Sequence, residues 1–429
     1  MKRAERSSRT RIVTGWRWGV HRMMFLAAML VYAVRRRRFP LFRIRGTLEA
    51  LRIGRRIGLT KLVNVGPRWF SALTLPHYPS KAFTAMVANG GLNTSAAGTR
   101  IKKQIDTAIL AITGKCDLHC AHCYERFSMV GPDDVTVEVW NQVIADIQEA
   151  GTSVIVLSGG EPLQRFGGLL DLLRAGDKDS SDFHLHTSGH GLTRERAAML
   201  HDAGLVAAAV GLDDVDPHRH DRLRGRKGAH REALDALALF RDAGIMTYVN
   251  CCLSPDLVRS GRLHAYYDRM KELGVGFLQL LEPRPCGGYL EAGSGVFLNE
   301  DERAAVFDFA REGNSSRRYR DYPVVYSVAW AEGQDDVGCG MGGLSHFSID
   351  SRGNVTPCVF MPVAFGNITR ERFPVIYERM RRAIPRPLRG PCPAFTITQP
   401  VRSGYRSVGE MPVDYRAIEA EWTALYTAP

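Results

Sequence analysis

Ile112-Thr-Gly-Lys-Cys-Asp-Leu-His-Cys-Ala-His-Cys-Tyr-Glu-Arg-Phe127 carries three thiols, Cys116, Cys120 and Cys123, in the spacing C-x3-C-x2-C. Three thiolates on one short loop can hold three irons of a cubane [4Fe–4S] cluster and leave the fourth iron open to a ligand. A zinc knuckle is the competing reading, because His119 or His122 would complete a four-coordinate set.

The next motif decides between them. Val154-Ile-Val-Leu-Ser-Gly-Gly-Glu-Pro162 is a β-branched apolar run that ends in two glycines, a carboxylate and a proline. It reads as a buried parallel strand opening into a loop with exposed backbone. Paired glycines let the main chain approach a ligand, and Glu161 can fix an ammonium group.

A cysteine loop followed by this run resembles the radical S-adenosylmethionine (SAM) superfamily. The resemblance implies that the methionine end of SAM chelates the open iron of the Cys116/Cys120/Cys123 cluster, with Gly159, Gly160 and Glu161 at its amino group. It further implies that an electron from the cluster cleaves the sulfonium to a 5′-deoxyadenosyl radical, which abstracts hydrogen from substrate. The sequence departs from the family pattern at one point. The family has an aromatic residue just before the third cysteine; here it is His122, with Tyr124 just after.

Working outward, short apolar strands alternate with amphipathic helices from about residue 105. Strands are expected at Thr107–Thr113, Ser153–Leu157, Phe183–Thr187, Val206–Leu212, Met246–Leu253 and Gly276–Glu282. Helices are expected near 136–150, 167–176, 193–203, 229–243 and 260–273, most ending at a glycine: Gly151, Gly204, Gly244 and Gly274. Six β–α units with crossover connections make a parallel sheet, two units short of a closed eight-fold barrel. The fold class expected is therefore α/β, a partial (β/α)6 barrel, which is also what the resemblance implies.

In such folds the chemistry gathers at the carboxyl ends of the strands. Those ends carry the cysteine loop, the glycine pair, His186-Thr-Ser-Gly-His190, Gly211-Leu-Asp-Asp214 and Glu282-Pro-Arg-Pro-Cys-Gly-Gly288. By resemblance, Thr187 and Ser188 match positions touching the ribose or carboxylate of SAM. Asp213 matches an acidic residue after the fourth strand, and Arg224 an Arg-Gly step near the SAM carboxylate. Cys286 stands on this rim as a candidate catalytic thiol that returns a hydrogen atom to a substrate radical; the plainer alternative is that it only packs. Cys251 and Cys252 read as core residues.

A second cysteine set follows. Cys339, Gly353 and Cys358 form C-x13-G-x4-C around an alternating run, a Ser351-Arg-Gly-Asn354 turn and a second run, which is a β-hairpin bringing two thiols together. This resembles the twitch, or truncated SPASM, extension of radical SAM enzymes, and so does Phe365-Gly-Asn-Ile368. The resemblance implies one auxiliary iron–sulfur cluster held by Cys339, Cys358 and Cys392. Its fourth ligand stays open between a substrate, Cys286 and a non-cysteine residue. The bland alternative is buried free thiols.

Charge separates the N-terminus from the rest. Residues 1–100 hold 20 Lys and Arg against two acidic residues, whereas the remaining 329 hold 37 against 43. Met23 to Val34 is an unbroken apolar stretch of 12 residues between Trp16, Trp18 and the cluster Arg35–Arg38. That is short of the roughly 20 residues that span a bilayer, and no small-residue cleavage site follows. It suits a helix lying in an anionic membrane surface, and Gly58–Leu75, with Trp69 and Phe70, has similar character. A packed helical subdomain and a nucleic-acid-binding arm are the alternatives.

The organisation expected is thus a basic membrane-associating segment over 1–100, a barrel over 101–300 and an auxiliary-cluster extension over 301–429. The reading is an enzyme peripheral on the cytoplasmic face of the membrane, its reaction class (oxidoreductase, transferase or isomerase) open. It uses SAM and two [4Fe–4S] clusters, fed by a reductant such as flavodoxin or ferredoxin. Membrane attachment favours a lipid substrate. A ribosomally made peptide is the alternative, and an electron carrier without SAM chemistry the reading from another class.

Overall fold

The computed structural model describes residues 10–21, 23, 58, 60–88, 106–129, 131–327, 338–403 and 411–427. The run Val154–Ser158 is buried at every position because both faces of its sheet are covered. It lies second in a series of parallel strands: β4 (Thr107–Ala111), β5 (Val154–Ser158), β6 (Asp182–Thr187), β7 (Leu205–Gly211), β8 (Met246–Cys252), β9 (Phe277–Leu281) and β10 (Val324–Ser327). On the far side of β4, strand β11 (His346–Ile349) pairs with it in parallel and turns back antiparallel into β12 (Val355–Thr356). The sheet order is β10-β9-β8-β7-β6-β5-β4-β11-β12, open at both edges.

Helices cover one face. The first, α1 (Val137–Glu149), begins at Thr136, whose side chain accepts from the Val139 amide, and turns Trp140, Val143, Ile144 and Ile147 into the core. That i, i+3, i+4, i+7 stripe is what the sequence pattern demands. The other four expected helices form as α2 (Phe166–Ala175), α3 (Arg194–Asp202), α5 (Ala229–Asp242) and α7 (Leu263–Leu273). A short helix, α4 (Pro217–Arg224), and the five-residue α6 (Pro255–Arg259) add to them. The strand residues facing the helices, such as Leu157, Leu185, Val210, Val249 and Leu280, share one core with them.

The opposite, concave face is closed at its lower end by the N-terminal segment. Three antiparallel strands, β1 (Thr10–Val13), β2 (Leu62–Val65) and β3 (Arg68–Phe70), form a small sheet. From it Val63, Val65 and Phe70, with Leu73, pack on Ala207, Ala209, Met246, Tyr248, Phe277 and Val324. The alanines of β7 leave the room, and burial of each large side chain contributes about 1.5–3 kcal/mol.

Two expectations change here. Gly58–Leu75, expected to face lipid, instead supplies strands whose apolar side chains the barrel covers; Phe70 is buried and Trp69 stacks on His21 with ring centroids 3.6 Å apart. The sheet also outruns the boundary expected at residue 300, taking β10 and β11 from the C-terminal part. Met24 to Val34 and Arg35–Arg38 lie outside the described residues. Among those described, no helix is long and apolar enough to cross a membrane.

Candidate functional site

All expected rim residues arrive at the carboxyl end of the sheet, and the cysteine loop lies across it. Its entry is held by Asp133, which accepts from Thr113 Oγ1 (2.8 Å) and the Gly114 amide (2.9 Å), and by Arg165, which donates to the Ile112 and Val135 carbonyls. The end of α4 supports it from another side: the His119 and Ala121 amides donate to the Arg224 and Leu223 carbonyls. Gly225, at φ +66°, is the helix cap, and a side chain there would strike His119.

The glycine pair meets this loop, backbone to backbone. Gly160 N donates to Thr113 O and Glu161 N to Lys115 O, both at 2.7 Å. A Cβ on Gly160 would collide with the Lys115 carbonyl, and one on Gly159 with that of Thr113. These glycines therefore let two segments of the protein close on each other, besides any approach to a ligand.

Glu161 is fully buried, and its oxygens are taken. Oε1 accepts from Thr187 Oγ1 (2.6 Å) and Leu163 N (3.1 Å), Oε2 from Ser188 N (2.8 Å) and Ser188 Oγ (2.5 Å). Burial raises its pKa against the pull of those donors. The free carboxylate expected to fix an ammonium is thus a clamp between two strand ends, and Thr187 and Ser188 use their hydroxyls in it.

Asp213 and Arg224 also come together. Arg224 Nε donates to Asp213 Oδ2 at 2.7 Å, and Asp213 Oδ1 accepts from Cys252 N at 2.9 Å. Burial works against the Asp213 charge, but Arg224, with His122 and His220, holds its pKa below the usual carboxylate range. His122, the residue at the aromatic position, sits with Nε2 4.0 Å from Asp213 and its ring 6.4 Å from that of Tyr289. Burial depresses its pKa to about 4, and its Nδ1 has no protein partner. Tyr124 points elsewhere, bonding Ser158 at 2.8 Å.

The three thiols are a donor set that an iron–sulfur cluster would take. Burial pushes Cys116 up to about 11 and Cys123 to about 12, and raises Cys120, so thiolates form here only against metal charge. The Leu118 amide already points at the Cys116 sulfur, 3.4 Å away. Among the described residues no three donors converge as a single metal ion requires; a cubane asks for one thiolate per iron, at separate corners.

Below the thiols the concave face is neutral and polar. His186 Nε2 bonds Tyr248 Oη at 2.9 Å, with His184 beneath and Asn250 above; Asn250 Oδ1 lacks a partner. Cys252 continues this column. It is half-buried beside Asp213, unlike the fully buried Cys251, so only Cys251 is the core residue expected of both. Asp133 and Arg165 carry no motif in the sequence, being isolated polar residues; for Cys252, read as core, its place at a strand's carboxyl end is the available signal. On the rim Glu282 is buried with Arg284 and Arg303, each at 3.0 Å.

Comparison with known proteins agrees with this geometry. Residues 110–264 match the radical SAM superfamily and residues 339–394 the SPASM iron–sulfur cluster-binding domain. These matches imply a SAM-binding [4Fe–4S] cluster, SAM itself and an auxiliary iron–sulfur cluster. An AdoMet-dependent heme synthase of Methanosarcina barkeri is 25% identical over 66% of this chain and 85% of its own. A PqqA peptide cyclase of Streptomyces rochei is 29% identical over 61% of this chain and 70% of its own. In fold the chain is similar to Streptococcus suis SuiB bound to its precursor peptide SuiA: TM-score 0.53, 13% identity, 69% of each chain covered.

Proposed function

We propose that this enzyme of the radical SAM superfamily, with its SPASM-type extension, modifies a peptide. When bound, the Cys116/Cys120/Cys123 cluster and SAM supply the 5′-deoxyadenosyl radical that starts the reaction. The chain's own residues do the rest. Gly159 and Gly160 offer backbone to the amino acid end of SAM, Glu161 locks Thr187 and Ser188 behind it, and the Asp213–Arg224 pair braces the cysteine loop. The substrate enters the open carboxyl end and descends toward the half-buried His186 and Asn250.

The observation carrying the peptide reading is the character of that wall. Burial depresses His186 to about 3, so the surface presents neutral donors and acceptors, which suits an amide-bearing chain. A similar relative is named for a peptide substrate. The rim cations are already engaged, Arg224 by Asp213 and Arg284 and Arg303 by Glu282. These arginines therefore offer little free positive charge to an anionic substrate. A lipid substrate loses part of its motive, since the second apolar N-terminal stretch is covered by the barrel; anchoring would rest on the first stretch, residues 16–38.

The test supplies reconstituted enzyme, SAM and reductant with the short peptide encoded beside its gene, or with bilayer lipid. The peptide reading expects 5′-deoxyadenosine formation to rise with the peptide and the peptide's mass to change. Stimulation by lipid alone overturns it.

A further inference from the structure

We propose that Cys286 is the fourth thiolate of the auxiliary site, completing a set with Cys339, Cys358 and Cys392 and leaving no vacant iron for substrate. The inference rests on the reading that the C-terminal extension holds a cluster, and deepens it by naming a ligand more than 50 residues upstream of the matched domain.

Three independent packing contacts bring the segments together. The Pro285-Cys-Gly-Gly288 turn is pressed onto the first cysteine loop: Gly288 N donates to Cys123 O at 2.8 Å, and side chains on Gly287 or Gly288 would strike Cys123 or Ala121. On its other side Arg284 lies over the Phe395 ring at 5.5 Å, and Phe395 N donates to Cys392 O at 3.1 Å. The remaining two thiols join through Cys339 N donating to Leu388 O (2.6 Å) and Gly342 N to Pro357 O (2.8 Å), beside Cys392 and Cys358.

Cys286 and Cys392 are buried where these segments meet, and Cys339 and Cys358 partly so. None of the four is in a disulfide. Four unpaired cysteines on segments packed together are a cluster cradle, because they ligate as thiolates and the iron core supplies the positive charge that burial otherwise denies them. Cys286 is 4% exposed. A thiol so enclosed, among other sulfurs, suits ligation better than the return of hydrogen to substrate; half-buried Cys252, on the concave face, is the thiol a substrate would meet.

The experiment removes the first cluster with Cys116→Ala, Cys120→Ala and Cys123→Ala, so that iron reports the auxiliary site alone. This full-length background, reconstituted anaerobically, should hold about four irons with a matching sulfide content. Adding Cys286→Ala should lower that content at least twofold, and Cys286→Ser should shift the g-values of the reduced cluster; Cys251→Ala should do neither. Unchanged iron and spectrum in both Cys286 variants, with iron lost in Cys358→Ala, overturn the assignment of Cys286. A background that binds no iron at all overturns the auxiliary cluster itself.

Discussion

Arg224 Nε donates to Asp213 Oδ2 at 2.7 Å beside the cysteine loop, whose His119 amide donates to the Arg224 carbonyl. The pair lets the carboxyl terminus of α4 and the end of β7 hold one loop between them. Removing one partner of a buried ion pair costs about 3–5 kcal/mol, because the other charge is stranded.

Asp213→Asn should therefore lower thermal stability and weaken the SAM-induced spectral change. The Asp213 pKa is depressed in the fold, so its stabilisation is present above the ordinary carboxylate pKa and lost as pH falls through the folded value. The variant should show a flatter acid limb in a plot of Tm against pH. Wild-type Tm and SAM titration would contradict the bracing role.

Gly160→Ala tests the closure of the two loops. The added methyl meets the Lys115 carbonyl, and backbone cannot yield as a flexible side chain would. Iron at the auxiliary site should persist while SAM binding falls at least tenfold, read by spectral titration. Normal SAM affinity would show that the loops tolerate separation.

The buried histidines set a pH dependence. Burial depresses His184 and His346 to about 4 and His186 to about 3, from 6.5. Each is neutral in the fold and takes up a proton on unfolding, so its contribution is complete above about 6.5 and declines as pH falls toward the folded values. Tm should drop between pH 6.5 and 4, and His184→Phe should reduce that slope. Equal slopes in variant and wild type would contradict this account.

Phe70→Ala measures the seal at the base of the concave face. Truncating a buried phenylalanine costs about 3–5 kcal/mol, so denaturant midpoints should fall accordingly. A loss below about 1 kcal/mol would mean that the N-terminal sheet is only loosely applied.

The barrel was legible because periodicity reports burial directly. All six expected strands appear within about two residues of their ends, and Gly151, Gly204, Gly244 and Gly274 all take positive φ at helix ends. The two cysteine spacings were readable for the same reason, and the radical SAM and SPASM matches fall on them: local motifs keep their meaning outside the fold. Long-range partnerships were not legible. Nothing near Glu161 announces that Thr187 and Ser188 will fill its oxygens, nor does Gly58–Leu75 announce that Ala207 and Ala209 leave room for it. The apolar pattern of that stretch suited lipid and protein equally, and only the partner distinguishes them. His122 was visible as a departure, but its neighbours Asp213 and Tyr289 lie 91 and 167 residues away.

The central claim is that Cys116, Cys120 and Cys123 hold the cluster at which SAM is cleaved. It is tested most directly by quantifying 5′-deoxyadenosine from anaerobically reconstituted protein with SAM and reductant, wild type beside Cys120→Ala. The account predicts product from the wild type and none from the variant. Equal yields from the two would contradict it.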